Sequence, residues 1–339
     1  MPPASVWLRR QFIPAAAARY HDPVKLAWLM LVIASALVAG DADFNGRWNL
    51  TVTGDPRGRA WWLEISGAGS KNLKGRFVGA PGGQPEGRMG GQLEEIPELK
   101  IDRGQLEFVF NRDYKPTGKR GLYRARIEGR KLVGSLVVDG LPRAQFTGER
   151  APEIRDKDDS AWKPGKVSNL LAAQDLARWK TALGPVKGWS FQNGLLTNSQ
   201  GAPDLISTEK FWNFELHAEY RIGPKSNSGI SLRDRYEIQI EDTHGKPTDT
   251  HSMGAVYSRI VPSLDAAAPA GEWQTVDIRL VGRTVTVTLN GKLVIDKREI
   301  EGLTAMAHDP DEAAPGPLCI QGDHGLVEFR ALTLTTLIR

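Results

Sequence analysis

Residues 284–291, Thr-Val-Thr-Val-Thr-Leu-Asn-Gly, decide the fold class of this 339-residue chain. Polar and apolar side chains alternate over the first six positions, which is the period of a strand with one buried face. Asn290-Gly291 follows directly, and this dipeptide favours a type I′ turn because both central residues of that turn need positive φ. The stretch therefore predicts a β-hairpin, and similar alternation recurs along most of the chain.

These signals divide the chain into two all-β regions. Residues 43–150 contain short alternating runs, such as Leu106–Phe110, and predict a small β-barrel or sandwich of unknown role. Residues 151–166 are charged and contain proline, which indicates a linker. Residues 167–339 contain a further succession of short strands and predict two packed antiparallel sheets, with room for one short helix within residues 170–179.

The N-terminus has the pattern of an export signal. Leu26–Ala39 is an apolar run that follows Lys25, and small residues stand at Gly40 and Ala42. The run is shorter than the ~20 residues that a membrane-spanning helix needs. We therefore expect residues 1–42 to be a signal peptide. The mature protein should then be periplasmic or secreted, without a membrane span.

Composition argues against several classes of function. The formal net charge is only +4 and no long basic stripe is present, so we expect no nucleic-acid partner. The single cysteine, Cys319, cannot form an internal disulfide, and the chain has no Cys/His zinc spacing. No dinucleotide-binding fingerprint is recognisable either. The oligomeric state is not predicted.

Three consecutive predicted strands each carry polar side chains on one face. If these strands are neighbours, Glu219, Asn227, Arg233, Glu237 and Gln239 combine into one polar platform. Antiparallel sheets often have one solvated face of this kind with no further role. However, this mixture of amide, guanidinium and carboxylate groups is suited to hydrogen-bonding a polyhydroxylated ligand. The pattern alone leaves two interpretations open, a merely solvated face and a face that binds a carbohydrate partner.

An ordered set of short runs supports the second interpretation. These runs are Gly188-Trp189, Asp204-Leu205, Phe211–Leu216, Asn227–Ile230, Tyr236–Ile240, Gly254–Tyr257, Gly271–Trp273, Leu289–Gly291, Gly316–Gln321 and His324-Gly325. Together they resemble the 3-keto-disaccharide hydrolase domain, over about residues 175–337. The resemblance implies a concanavalin-like jelly-roll sandwich. It also implies an enzyme that cleaves glycosides already oxidised at C3 of the sugar, by C2 proton abstraction, elimination and hydration.

The predicted site consists of positions on the polar face, its rim and the matching runs. Such a reaction needs a general base, an acid for the leaving group and an electrophile for the developing enolate. The predicted catalytic residues are Glu237, His324 and Arg233. The predicted substrate-binding residues are Asn227, Gln239, Gln321, Glu219 and Tyr257.

A divalent metal ion is a second way to supply the electrophile, and its candidate ligands are His251 and Asp242. No local spacing requires a metal, and no other cofactor is predicted. Three alternatives remain open on the sequence alone. They are a non-catalytic, lectin-like carbohydrate-binding protein, a retaining glycosidase that pairs Glu219 with Glu237, and a structural protein whose β-domains bind partners.

Overall fold

The computed structural model describes residues 40–55, 57–79, 93–110 and 121–339, so the predicted signal peptide lies almost entirely outside the described residues. The described residues are strands and turns apart from one 3₁₀ helix at Asp41–Phe44, which confirms the all-β fold class. The predicted short helix within residues 170–179 is wrong, because turns occupy that segment. Within these ranges, no helix is both long enough and apolar enough to cross a bilayer.

The N-terminal domain is one antiparallel sheet of nine strands in the order β4-β3-β2-β1-β9-β8-β7-β6-β5. Its strands are β1 (Gly46–Thr53), β2 (Trp61–Ser66), β3 (Lys74–Val78), β4 (Glu94–Glu95), β5 (Glu98–Asp102), β6 (Gln105–Phe110), β7 (Gly121–Glu128), β8 (Lys131–Val138) and β9 (Leu141–Arg150).

This sheet curls around an aromatic core. Phe77 of β3 contacts Phe108 of β6 at 5.3 Å and Tyr123 of β7 at 5.0 Å between ring centroids, although β3 and β6 lie near opposite ends of the strand order. Trp61 lies against the same rings. Large rings in a shared core bury much apolar area, and this burial holds the two ends of the sheet together.

The C-terminal domain consists of two antiparallel sheets. The eight-stranded sheet contains β10 (Lys163–Asn169), β12 (Trp189–Gln192), β13 (Leu195–Asn198), β15 (Phe214–Ile222), β18 (Gln274–Val281), β19 (Thr284–Leu289), β20 (Lys292–Glu299) and β22 (Val327–Ile338). The five-stranded sheet contains β11 (Trp179–Lys180), β14 (Leu205–Phe211), β16 (Asn227–Leu232), β17 (Tyr236–Glu241) and β21 (Gly316–Ile320). Strand β10 begins inside the segment predicted to be a linker.

The two sheets pack face to face around one apolar core. Leu216 and Ile278 of the larger sheet share this core with Ile230 and Ile238 of the smaller one. The predicted hairpin at residues 284–291 joins β19 to β20 and is confirmed, since Asn290 and Gly291 have φ values of 48° and 74°. Because the inward face of each strand is apolar, the polar residues of the five-stranded sheet lie on its outer face.

The N-terminal domain packs against the C-terminal domain through β2 and the loop that precedes it. Ala60 and Trp62 form an apolar cluster with Leu303 and Ala307. The backbone N–H of Ala60 also donates to the carbonyl of Ala307 at 2.7 Å. The described residues of the two domains accordingly form one compact unit.

Candidate active site

Strands β16 and β17 align three pairs of residues on the outer face of the five-stranded sheet. Asn227 lies opposite Glu241, Gly229 opposite Gln239, and Ser231 opposite Glu237. Cross-strand partners project to the same side of a sheet, so these residues form one surface. Exposure rises along it, because Glu237 and Gln239 are buried whereas Asn227 and Glu241 are partly exposed. We call this surface the polar face.

The neighbouring strands β21 and β14 extend the polar face. Cys319 of β21 lies opposite Ser231, and the Gln321 N–H donates to the Gly229 carbonyl at 3.0 Å. Ile206 pairs with Cys319, so the same register places Asp204 beside Gln321. Sequence reasoning missed Asp204 as a site residue, although the Asp204-Leu205 run belongs to the set that carries the family resemblance.

On the other side of β17, residues 254–257 continue the sheet as an irregular edge. The Gly254 N–H donates to the Gln239 carbonyl at 2.9 Å, and the Tyr257 N–H donates to the Glu237 carbonyl at 3.0 Å. Val256 forms a bridge with Ile238, which faces the core. Since side chains alternate, Tyr257 lies on the same side as Glu237, as a substrate-binding residue would.

Glu237 is the central side chain of the polar face. It is 3% exposed, and its carboxylate lies over Gly229, where an added Cβ would come within 2.3 Å of Oε1. Its carboxylate makes no hydrogen bond with another residue in the described ranges. Burial raises the pKa of Glu237 to about 8, and the nearby carboxylates of Asp204 and Asp323 act in the same direction. A glutamate of this kind exchanges a proton near neutral pH.

The N-terminal domain places Arg59 in this site. Arg59 is buried, and its Nη2 donates to Oδ2 of Asp204 at 2.7 Å. Burial opposes the positive charge, but the carboxylates of Asp204 and Asp323 outweigh that effect and raise the pKa of the guanidinium. Sequence reasoning did not identify Arg59 as a site residue, because no local pattern distinguishes it from the other arginines.

His308 connects Asp204 to a second buried carboxylate. Its Nδ1 lies 2.8 Å from Oδ1 of Asp234 and its Nε2 lies 3.6 Å from Oδ2 of Asp204. Burial opposes protonation of the imidazole, but the charge of Asp234 outweighs it and raises the pKa of His308. His308 and Asp234 also line a cavity of about 370 Å³ that includes Lys180 and Lys210.

The rim of the polar face carries Asp323 and His324. His324 is exposed, and its Nδ1 contacts Oδ1 of Asp323. Arg57 reaches the other Asp323 oxygen at 3.1 Å. Burial acts against ionisation of Asp323, but the hydrogen bond and charge of His324 dominate and lower its pKa to about 2. His324 therefore lies at the solvent-facing end of the site next to an ionised carboxylate.

Two predicted members of the platform lie elsewhere. Arg233 is fully buried in the turn between β16 and β17, where its Nε donates to the Trp212 carbonyl at 2.6 Å and its guanidinium stacks on the Trp212 ring. The prediction that Arg233 lies on the polar platform is therefore wrong, and this position gives no support to its predicted catalytic role. Arg233 and Asp234 both have positive φ, which ends the alternation of the strand.

Glu219 belongs to β15, which pairs with β18 and β22 of the eight-stranded sheet and not with β16. There it contacts Arg330 and lies 3.4 Å from Nε2 of His217. The two sheets stack ~10 Å apart, and Glu219 and Glu237 point away from their shared core in opposite directions. Placing Glu219 on the platform is wrong, and so is the Glu219–Glu237 pair of a retaining glycosidase.

The candidate metal ligands have other partners. Asp242 accepts a hydrogen bond from the Lys225 N–H at 2.9 Å, and the His251 ring contacts Tyr257 edge-on at 5.0 Å. In the described part of the chain, the one group of three potential ligands is Asp204, His308 and Cys319. Arg59 already pairs with Asp204, and burial raises the pKa of the Cys319 thiol well above its usual value. Asp204 is thus held by Arg59, and the Cys319 thiol keeps its proton.

Several buried polar atoms on the polar face have no hydrogen-bond partner among the described residues. They are Oγ of Ser231, Oε1 of Gln239, Oε1 of Gln321 and Nε of Arg59. A buried polar group without a partner costs ~1–3 kcal/mol, so four such groups in one place are unusual for a purely structural surface. They offer three acceptors and one cationic donor to a bound polar molecule.

Comparison with known proteins shows that the C-terminal half of the chain matches a family. The family described as "3-keto-alpha-glucoside-1,2-lyase-like domain" matches residues 166–335. None of the curated proteins matches the chain.

Solved structures also match the chain. One candidate glycosyl hydrolase from Parabacteroides distasonis ATCC 8503 is 22% identical, covers 51% of this chain and 94% of its own, and has a TM-score of 0.43. Another from the same organism is 25% identical, covers 54% and 93%, and also has a TM-score of 0.43. The carbohydrate-binding module CBM66 from Bacillus subtilis is 14% identical, covers 47% and 96%, and has a TM-score of 0.35.

Proposed function

The chain belongs to the 3-keto-alpha-glucoside-1,2-lyase-like family, and on that basis we propose that it cleaves 3-keto-glycosides with Glu237 as the general base. The family supports a carbohydrate-acting function. The observation that carries the finer proposal is the buried Glu237, whose pKa is raised to about 8. A base works best when its pKa lies near the working pH.

The first step begins at the sugar C2, whose proton is acidified by the neighbouring C3 ketone. Ionised Glu237 takes this proton, and the electrons of the C2–H bond form an enolate on the C3 oxygen. When the enolate collapses, a C1–C2 double bond forms and the C1–O bond to the leaving group breaks. Glu237 now holds the proton, and the leaving group departs as an alkoxide that needs a proton of its own.

His324 is the proposed acid for that leaving group. It stands at the exposed end of the polar face, where an aglycone would extend into solvent, and its Nδ1 contacts Oδ1 of Asp323. Addition of water across the C1–C2 double bond completes a net hydrolysis. Gln239 and Gln321 supply acceptors for sugar hydroxyl groups.

The decisive experiment compares the full-length protein on matched 3-keto and unoxidised glucosides that carry the same chromogenic leaving group. We expect turnover of the keto compound alone, a primary isotope effect on kcat with C2-deuterated substrate, and loss of the label to solvent. Glu237→Gln should lower kcat by ~10²–10⁴-fold. Binding of both sugars without turnover would instead establish a lectin-like protein, and cleavage with retention of the C2 label would establish an ordinary glycosidase.

Two further parts of the proposal have simple tests. Turnover that survives a chelator would show that the charged residues of the site suffice, whereas loss of turnover would indicate a divalent cation. Export, predicted from residues 1–42, stays a proposal, because those residues lie almost entirely outside the described ranges. Fractionation of expressing cells and N-terminal sequencing of the recovered protein check it.

A further inference from the structure

We propose that the N-terminal domain completes the active site by contributing Arg59 as the cation that stabilises the enolate oxygen. This inference rests on the proposed function. The domain lies outside residues 166–335, the part of the chain that matches the family. Arg59 nevertheless reaches Asp204 on the polar face at 2.7 Å. The site is thus made by two domains.

The loop that carries Arg59 is fixed by a single carboxylate. Oδ1 of Asp55 accepts hydrogen bonds from the backbone N–H groups of Arg57 at 2.9 Å and Arg59 at 3.1 Å. The other oxygen of Asp55 faces Nε1 of Trp61 at 3.4 Å. Gly58 supplies a φ of +70°, which side chains other than glycine rarely adopt. The backbone on both sides of Arg59 is therefore held in one conformation.

The loop is also anchored to the C-terminal domain, which fixes the distance between Arg59 and the polar face. Next to Arg59, the Ala60 N–H donates to the Ala307 carbonyl at 2.7 Å. Trp62 packs with Leu303, and Gly302 lies directly against the Trp62 indole. A cation held rigidly before the reaction stabilises developing charge better than one that must move into place.

The guanidinium of Arg59 is only partly used by the protein. Its Nη2 binds Asp204, while Nε has no hydrogen-bond partner within the described ranges although the side chain is only 6% exposed. Asp204 is itself held from the other side, because its Oδ1 accepts from the Gly322 N–H at 3.1 Å. The Nη2 end of the guanidinium is thus bound to Asp204, and the buried Nε–H is left to donate to a substrate oxygen.

The charge balance of the reaction suits this position. Before proton transfer, the negative charge is on Glu237, and Arg59 lies close enough to lower the pKa of that residue. After transfer, Glu237 is neutral and the charge is on the C3 oxygen. In the proposed arrangement, Arg59 lies beside both the Glu237 carboxylate and the C3 oxygen. The negative charge then stays close to the guanidinium, and the net charge of the buried site does not change.

The test uses the full-length protein and the variants Arg59→Gln and Arg59→Lys, assayed on a chromogenic 3-keto-glucoside. Arg47→Gln is the control, because Arg47 also lies in the N-terminal domain and pairs with a carboxylate, that of Glu64 at 3.0 Å. We expect Arg59→Gln to lower kcat by ~10²–10³-fold, the usual loss for one oxyanion donor. Arg47→Gln should stay within about twofold, because its partner Glu64 lies in β2, not on the polar face, and a partly exposed ion pair contributes little.

The pH profile separates a catalytic role from a structural one. Because Arg59 lowers the pKa of Glu237, Arg59→Gln should move the acidic limb of kcat/KM to higher pH, which a folding defect would not do. If Arg59→Gln fails to fold, Arg59→Lys keeps a cation near Asp204 but loses Nε, and it should fold and turn over at least ~10-fold more slowly.

The outcomes distinguish this inference from the proposed function. Wild-type kcat in folded Arg59→Gln or Arg59→Lys would overturn the role of Arg59 and leave the proposed function standing. A wild-type protein that is inactive on every 3-keto-glucoside would remove the proposed function and, with it, this role for Arg59. A lower kcat in both variants, with the acidic limb shifted in Arg59→Gln and Arg47→Gln unaffected, establishes a site shared by two domains.

Discussion

Two buried glutamates, Glu312 and Glu237, lie on opposite sides of strand β17, and they differ in how many donors stabilise their negative charge. Tyr236 points to one side and donates to Glu312 at 2.5 Å, while the next residue, Glu237, points to the other. Glu312 also accepts from Arg283 twice, at 3.0 and 2.9 Å, and from Asn49 at 2.7 Å. Glu237 accepts no hydrogen bond from the other described residues and packs against the backbone of Gly229.

The pKa values of the two groups move in opposite directions for this reason. Burial alone would raise both. At Glu312 the charge and hydrogen bonds of Arg283 outweigh burial and lower the pKa, whereas at Glu237 burial dominates and raises it to about 8. A buried carboxylate with four donors is a fixed charge: Glu312 forms its ion pair with Arg283 of the same domain, and the hydrogen bond from Asn49 connects it to the N-terminal domain. A buried carboxylate without donors is a group whose proton is free to move.

The largest expected effect is on the pH dependence of stability. Because the pKa of Glu237 is raised, its protonated form contributes to the stability of the folded state. This contribution is fully present below pH 4.5, the usual pKa of a glutamate. It is lost as pH rises to about 8, because the unfolded chain ionises first. The linkage relation puts the loss on the order of 5 kcal/mol. Glu237→Gln cannot ionise, so its stability should fall less over this range.

Urea unfolding of wild type and Glu237→Gln at closely spaced pH values measures this difference. Glu312→Gln serves as the opposite control, because a lowered pKa gives stability that is present above the usual value and lost only as pH falls below it. Parallel stability curves for wild type and Glu237→Gln between pH 4.5 and 8 would show that Glu237 is ionised when folded.

The next effect concerns Glu312 at neutral pH. Glu312→Gln removes the negative charge but not the volume, and it leaves Arg283 with a buried, unpaired cation. Breaking a buried ion pair in this way costs ~3–5 kcal/mol. We expect a loss in the free energy of unfolding of this size, with kcat per folded molecule unchanged. Glu149→Gln is the matched control, because Glu149 is exposed and its ion pair with Lys131 is worth ~1 kcal/mol or less. A large fall in kcat without destabilisation would contradict the contrast between the two glutamates.

Alternation of polar and apolar residues predicted more of the fold than of the site. It correctly placed Glu237 and Gln239 on the outer side of β17, because side-chain direction in a strand follows from sequence position alone. It failed for Arg233, since positive φ values at Arg233 and Asp234 break the alternation. It also failed for Glu219, because sequence order does not show that β15 pairs with β18 and β22.

The residues that sequence reasoning missed come together only through long-range packing. Arg59 lies 145 positions before Asp204, in a different domain and in a turn that reads as an ordinary hairpin connection. His308 lies 74 positions after Asp234, in a loop without any regular alternation of polar and apolar residues. No local pattern reports such contacts, because they depend on tertiary packing, between the domains for Arg59 and within the C-terminal domain for His308.

Of the substitutions considered, Gly229→Ala should change stability least. It should lower catalysis selectively. A Cβ there would come within 2.3 Å of Oε1 and 2.9 Å of Cγ of Glu237. Since the atoms in the way belong to a side chain, the carboxylate should swing aside while the backbone stays in place. Gly229→Ala should therefore lower kcat by ~10-fold or more, because misplacing a catalytic group by ~1 Å has effects of that order. The free energy of unfolding should change by only ~1 kcal/mol.

Gly223→Ala provides the comparison, because a Cβ at Gly223 would meet no atom within 4 Å. Kinetics and urea unfolding of both variants separate the two quantities. If Gly229→Ala loses stability and keeps kcat, the space above Gly229 serves packing alone, and Glu237 would be a structural residue like Glu312. If it loses kcat and keeps stability, the glycine is there because the Glu237 carboxylate must lie over the strand to reach its substrate.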